Sequence, residues 1–134
     1  MFLIAGLWNI GAGFLSWLAM LVAPSHSFAH YGMNYPESLF PFHAGFGAII
    51  AFGIGYLMVS RDITKNRGVV IIGGMIGKPV FFADCVVTVT LGEANARLLV
   101  PGVVDLVFFL LFLEFLIATR KNLISLPYGR NRNS

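Results

Sequence analysis

The chain has 134 residues, of which 57% are hydrophobic and 11% are charged, with a mean hydropathy of +0.82. Soluble domains are nearer about 45–50% apolar and about 25% charged, and a soluble fold of this length could not bury so much apolar surface. The formal charge of +3 comes from basic residues between and after the apolar runs, a placement typical of membrane topology and not of nucleic-acid binding.

Four apolar runs, at 2–23, 39–60, 69–91 and 98–119, predict four transmembrane helices. Each is about 22 residues long, or roughly 33 Å as a helix, which matches a hydrocarbon core of about 30 Å. The short alternating segments of a membrane β-barrel are absent from the sequence. The predicted fold class is therefore all-α, an integral membrane four-helix bundle that forms one domain and ends in a basic tail at 120–134.

We expect the first run to be retained as a membrane helix. The small-x-small sequence Ser27-Phe28-Ala29 is typical of a signal-peptide cleavage site. However, the run lacks a basic n-region, and its apolar stretch is longer than the usual length of about 7–15 residues. Helical periodicity also places small and polar residues on one face of this helix, as expected of a packing face. These residues are Gly6, Asn9, Gly13, Ser16 and Met20.

The basic residues predict the orientation. Arg61, Lys65 and Arg67 lie between the second and third runs, and a further group lies in the tail, whereas the opposite side carries Arg97 alone. By the positive-inside rule, both termini are cytoplasmic, and 24–38 and 92–97 face outward. We expect a multi-pass protein of the plasma (inner) membrane. Aromatic belts at the membrane interfaces are expected to include Tyr31, Tyr35 and Tyr56.

Charged residues inside the apolar runs are the most informative feature. Each costs about 2.5–3.5 kcal/mol to insert, so we expect it to be paired, to face the bundle interior or to be functional. Lys78 lies near the midplane and can reach about one helical turn outward, while Asp105 lies roughly 10 Å below the outer boundary. Asp84 has a similar depth but lies about 120° around the helix from Lys78. Lys78 is therefore predicted to pair with Asp105.

A polar cluster in the outer half of the bundle is the candidate functional site. Its predicted members are Asn9, His43, Lys78, Asp84, Thr88 and Asp105. Such a cluster could bind a ligand or relay a proton. The alternative is a buried ion pair that holds the third and fourth helices in register. Glu114 is expected outside the cluster, near the cytoplasmic interface.

The other motifs give little indication of a metal, nucleotide or catalytic site. His26 and His30 have the i, i+4 spacing of a metal pair, but clear third and fourth ligands are lacking, so we predict no metal and no cofactor. Cys85 lies among apolar residues and is expected to be an inert buried thiol. Gly53-Ile54-Gly55 lies inside a membrane helix and indicates close packing rather than nucleotide binding. The sequence contains no HExxH or Walker motif and no Ser-His-Asp order.

Short motifs are spread along nearly the whole chain. They are Gly6-Leu7-Trp8-Asn9, Gly55-Tyr56, Arg61-Asp62, Asn66-Arg67-Gly68, Gly77-Lys78, Asp105 and Leu111-Phe112. In these motifs the chain resembles the small bacterial four-helix membrane proteins of the DoxX-like and unknown-function type. The resemblance implies a four-helix bundle in the inner membrane. It implies no assigned activity and no catalytic residue.

Three functions remain open. Small-residue stripes, such as Ala44, Ala48, Ala51 and Gly55, and the short loops favour an accessory or structural subunit, in a homo-oligomer or a larger membrane complex. The polar cluster favours a protein that binds or translocates a small lipophilic ligand, a proton or an ion. An enzyme acting on a lipid or quinone would use His43 with a carboxylate, although the lack of a catalytic motif argues against it. The expected partner common to all three is the lipid bilayer, and none is nucleic acid.

Overall fold

The computed structural model describes residues 1–124, with side chains described as far as Thr119. Regular structure in this part of the chain is entirely helical. The helices are α1 (Phe2–Val22), α2 (Pro24–His30), α3 (Phe40–Arg61), α4 (Ile63–Val69), α5 (Lys78–Thr90) and α6 (Leu99–Ile124). A π-helical segment, Val70–Gly77, joins α4 to α5, and a 3₁₀ turn, Ala96–Leu98, leads into α6.

Four helical stretches are long and apolar enough to cross a membrane, as predicted. These stretches, called spans one to four, are Phe2–Val22, Phe40–Arg61, Ile63–Thr90 and Ala96–Thr119. The third span begins at Ile63 rather than at the predicted residue 69. The reason is a helix cap, because the Asp62 carboxylate accepts a hydrogen bond from the backbone N–H of Lys65 at 3.1 Å.

The first and second spans form a tight antiparallel pair. Gly6 and Gly53 face each other in this contact, and a Cβ atom on residue 53 would lie 2.9 Å from the backbone nitrogen of Ile10 and 3.0 Å from the carbonyl oxygen of Gly6. Glycine at these positions lets the two backbones approach more closely than any larger residue would. The expected packing role of Gly53 is therefore confirmed.

The third and fourth spans form the second pair, and the third span contains the π-helical segment. Within this segment, the N–H of Lys78 donates to the carbonyl of Gly73, five residues earlier. Pro79, which follows directly, has no N–H to continue an α-helical hydrogen-bond pattern. Farther along, α5 packs on α6, and Gly102 faces the buried thiol of Cys85.

The two pairs meet at the end of the molecule where α1 begins and α3 ends, here called the terminal end. The buried core lies there and consists of Phe2, Ala5, Tyr56, Val59, Val70 and Phe112. The Phe112 ring lies 4.9 Å from the Phe2 ring and 5.1 Å from the Tyr56 ring, measured between centroids. These three rings come from three different spans, so they join one pair to the other.

The opposite end, here called the loop end, carries α2 and the two connections that join the first span to the second and the third span to the fourth. Asn95 ties these connections together: its backbone N–H donates to the carbonyl of Tyr31 at 2.7 Å, and its side-chain amide donates to the carbonyl of His30 at 3.0 Å. Gly32 has a positive φ of 67° and packs against Asn95. The two connecting segments of the loop end therefore form one hydrogen-bonded layer.

Candidate functional site

A cavity of about 540 Å³ lies between the two helix pairs on the loop-end side of the core. Small-molecule sites in proteins commonly occupy about 300–1,000 Å³. Its wall is mainly apolar and includes residues from all four spans and from α2. The larger apolar side chains of the wall are Trp8, Met20, Phe28, Phe42, Phe46, Ile49 and Phe81.

Lys78 and Asp105 form an ion pair at the wall of this cavity. Lys78 Nζ lies 2.5 Å from Asp105 Oδ1, and the side chains are 3% and 19% exposed, respectively. The predicted contact between these two residues is therefore confirmed. Lys78 is the first residue of α5 and Asp105 lies in the second turn of α6, so the pair also joins the third span to the fourth.

The ammonium group of Lys78 has further partners inside the protein. Nζ donates to Asn9 Oδ1 at 3.4 Å, which links the first span to the ion pair. Nζ also lies 5.2 Å from the centroid of the Phe108 ring and 5.7 Å from that of the Tyr56 ring, within the range of cation–π attraction. Protein groups from all four spans therefore surround this one charge.

Asp105 differs from Lys78 because one of its oxygens remains available. Oδ1 accepts from Lys78, whereas no described group donates a hydrogen bond to Oδ2. A carboxylate can accept several hydrogen bonds, and Asp105 lines the cavity. At the ion pair, the protein therefore offers the cavity a negatively charged acceptor whose charge is balanced by Lys78.

Tyr56 is a site residue that the sequence did not reveal. It was expected in an interfacial belt, but it is 0% exposed, and its hydroxyl has no hydrogen-bond partner in the described part of the chain. A Cβ atom on Gly73, which lines the cavity, would lie 2.8 Å from Tyr56 Oη. No pattern in the sequence signals this position, because the burial of Tyr56 depends on the Phe112 ring of the fourth span.

The other predicted members of the cluster lie elsewhere. No hydrogen bond joins His43, Asp84 or Thr88 to the ion pair, and none of the three lines the cavity. Asp84 is exposed, and the Thr88 hydroxyl donates to the backbone carbonyl of Asp84 at 2.7 Å. The angular separation of Asp84 from Lys78 on the third span accounts for its position. His43 is half-buried, and its Nδ1 atom has no partner among the described residues.

The histidines of α2 lie at the far side of the cavity from the ion pair. His26 and His30 are both exposed and line the cavity where it meets the loop end. Across residues 1–119, no group of three or more His, Cys, Asp or Glu side chains is arranged to hold a metal ion. Glu114, expected near an interface, is exposed on α6.

Comparison with known proteins gives no guide to the site. No protein-family model, curated protein or solved structure matches the chain. What the protein does is therefore inferred from the chemistry of its own cavity.

Proposed function

We propose that this chain is a multi-pass membrane protein that binds a small lipophilic molecule in the cavity between its two helix pairs, with the polar end of the molecule at Lys78 and Asp105. One observation carries the proposal: an apolar cavity of ligand size has a buried ion pair in its wall, and the carboxylate of that pair keeps a free oxygen. Apolar walls with a few convergent polar groups are typical of small-molecule sites.

The outer surface of the bundle supports the membrane assignment. Large apolar side chains such as Ile4, Leu15 and Val100 are more than half exposed, and a bilayer would cover them. Arg61, Lys65 and Arg67 are exposed near the terminal end. By the positive-inside rule we assign that end to the cytoplasmic side, which puts the cavity in the outer half of the membrane. The inner membrane remains part of the proposal, as the resemblance to DoxX-like proteins implies. The basic residues of the tail, at 120–134, lie outside the described side chains.

The cavity favours ligand binding over a purely structural ion pair. A pair that only holds helices in register would be expected among packed side chains, since protein interiors are close-packed with few voids. Here Asp105 borders an open space instead. A lipophilic molecule in the cavity would make dispersion contacts with these apolar walls.

Photolabelling in phosphatidylcholine vesicles tests this proposal. The probes are diazirine-bearing dodecyl chains that end in a hydroxyl or in a carboxylate. We expect at least one probe to label cavity residues such as Phe46 and Phe81. Ala12→Leu, which fills part of the cavity, should reduce this labelling about tenfold. This corresponds to a loss of about 1.4 kcal/mol in the binding free energy.

The matched control is Ala83→Leu, because Ala83 is exposed and does not line the cavity. This variant should be labelled like the wild type. Labelling that is confined to lipid-facing residues such as Leu15, and that is unchanged in Ala12→Leu, would overturn the proposed function.

An accessory subunit is the second candidate function. The observation in its favour is a shallow groove of about 430 Å³, lined by Ala48, Ala51, Phe52, Gly55, Val69 and Ile72. Small residues at such a surface allow another helix to approach closely, from a second copy or from a larger complex. Native mass spectrometry after gentle extraction separates the candidates: a defined oligomer or complex favours the subunit, and a monomer with a bound lipophile favours the ligand-binding protein. The resemblance to DoxX-like proteins is compatible with either and stays a prediction.

A further inference from the structure

We infer that the lipophilic ligand is electrically neutral and ends in a hydroxyl group, which donates a hydrogen bond to Oδ2 of Asp105. This inference rests on the proposed function, because it names the chemical class of molecule that the cavity accepts. It is carried by the charges and the hydrogen bonds of the cavity wall.

The charges at the ion pair already cancel. Lys78 contributes one positive charge and Asp105 one negative charge, and they lie in direct contact. A ligand carboxylate would bring a second anion next to Asp105, and a ligand ammonium would bring a second cation next to Lys78. Either would leave one buried charge uncompensated, which is costly in an apolar site. A neutral ligand adds no charge and avoids this cost.

The hydrogen-bonding groups that remain free at the ion pair then determine the end group of the ligand. Lys78 donates to Asp105 and Asn9, and its charge also faces two aromatic rings, so its side chain is only 3% exposed. At the ion pair, the acceptor without a described donor is Oδ2 of Asp105, so a ligand that bonds there must supply a donor. A hydroxyl is a neutral donor and forms a short, charge-assisted bond to a carboxylate.

The hydroxyl of Tyr56 lies behind the cavity wall and takes no part in this contact. Tyr56 Oη lies beside Gly73, one turn of the π-helical segment before Lys78, and is buried without a partner among the described residues. Because the Tyr56 side chain is 0% exposed and does not line the cavity, the ligand hydroxyl bonds to Asp105 alone.

Competition against the photolabelling probes tests the inference on the full chain in vesicles. The competitors are dodecanol, dodecanoic acid and dodecylamine, which share one chain length and are compared at equal concentration in the membrane. We expect dodecanol to protect the cavity at least about tenfold better than the acid or the amine, because a hydrogen bond to a charged group has this effect on binding. This ranking is measured on the wild type and needs no variant.

The variant Asp105→Asn sharpens the test, since it leaves Lys78 as an unbalanced positive charge. Its preference should change from dodecanol to dodecanoic acid. Asp84→Asn is the matched control, because Asp84 is exposed outside the cavity, and its preference should remain that of the wild type. If Asp105→Asn does not fold, the double variant Lys78→Met with Asp105→Asn removes both charges and should lose the preference for dodecanol.

The outcomes separate the two proposals. If the acid or the amine protects the cavity as well as dodecanol does, or if Asp105→Asn keeps the preference for dodecanol, the inference is overturned while the cavity labelling upholds the proposed function. If neither probe labels the cavity, the proposed function itself fails.

Discussion

The terminal end and the loop end of this bundle contain the same residue types, but the first forms a packed core and the second borders a cavity. At the terminal end, Phe112 lies against the rings of Phe2 and Tyr56 and is fully buried. Toward the loop end, Phe46 and Phe81 line a cavity instead. Both ends are rich in aromatic and glycine residues, so composition alone does not distinguish a packed core from a cavity.

Glycine placement accounts for part of the difference. At the terminal end, Gly74 faces the Phe112 ring and leaves room for it, so the ring fills the space between the pairs. Beside the cavity, Gly77 has only a backbone oxygen of Ile72 within 4 Å of the position where its Cβ would lie. The space beside Gly74 is therefore filled by a ring, whereas the space beside Gly77 is part of the cavity. The core at the terminal end and the hydrogen-bonded layer at the loop end both hold the pairs together, and the cavity lies between them.

The largest expected effect on stability comes from breaking the ion pair of Lys78 and Asp105, which lies between the core and the loop end. Lys78→Met should lower the free energy of unfolding by about 3–5 kcal/mol, because it leaves the partly buried Asp105 charge without a partner. Unfolding in mixed micelles with increasing SDS measures this change. The double variant with Asp105→Asn should recover part of the loss.

Lys65→Met is the matched control for that measurement. Lys65 pairs with Asp62 at 3.9 Å, but its side chain is 84% exposed, so its loss should cost less than about 1 kcal/mol. Equal stability of the Lys78→Met and Lys65→Met variants would show that the buried pair has no structural role.

A smaller effect is expected from crowding the contact within the first helix pair. Gly53→Ala should cost about 1–3 kcal/mol, since the added methyl meets the backbone of the first span and the helices must move apart. At Gly47, on the same helix, a Cβ atom would have no neighbour within 4 Å, so Gly47→Ala should be neutral or stabilising by up to about 1 kcal/mol. The same SDS titration compares them, and equal losses in both would contradict the assigned contact.

The smallest effect concerns the boundary between the core and the cavity. Tyr56→Phe keeps the ring and removes the unpaired hydroxyl, so the ligand-free protein should gain up to about 1 kcal/mol of stability. Tyr35→Phe, at an exposed position, should change nothing. A loss of stability in Tyr56→Phe would mean that the hydroxyl has a partner inside the protein.

The lengths of the apolar runs and the depths of the charged residues within them predict much of this architecture. The four long apolar helices follow from the lengths of the runs, because each run is long enough to cross a hydrocarbon core of about 30 Å. The contact between Lys78 and Asp105 follows from their depths, because two opposite charges at reachable heights are costly unless they meet. These inferences needed only the rise per residue and the cost of an unpaired charge.

Properties that depend on how the helices pack were not predictable in the same way. Tyr56 was assigned to an interface from its residue type, whereas its burial depends on a ring from another span. His43 and Thr88 have suitable chemistry but do not reach the ion pair. The cavity is a gap between two helix pairs, and such a gap leaves no pattern in the sequence of either pair.

Because of the π-helical segment, the contact between Lys78 and Asp105 depends on the number of residues that precede Lys78 in the third span. A π turn accommodates about one residue more than an α turn. Each helical residue advances the direction of the side chains by about 100°, so that extra residue sets the direction of Lys78 and of everything after it. A homologue lacking one residue between 70 and 77 would keep the same composition and hydropathy, yet its lysine would point away from Asp105. For recognising proteins that share this site, the spacing from Val70 to Lys78 is therefore as diagnostic as the presence of the lysine.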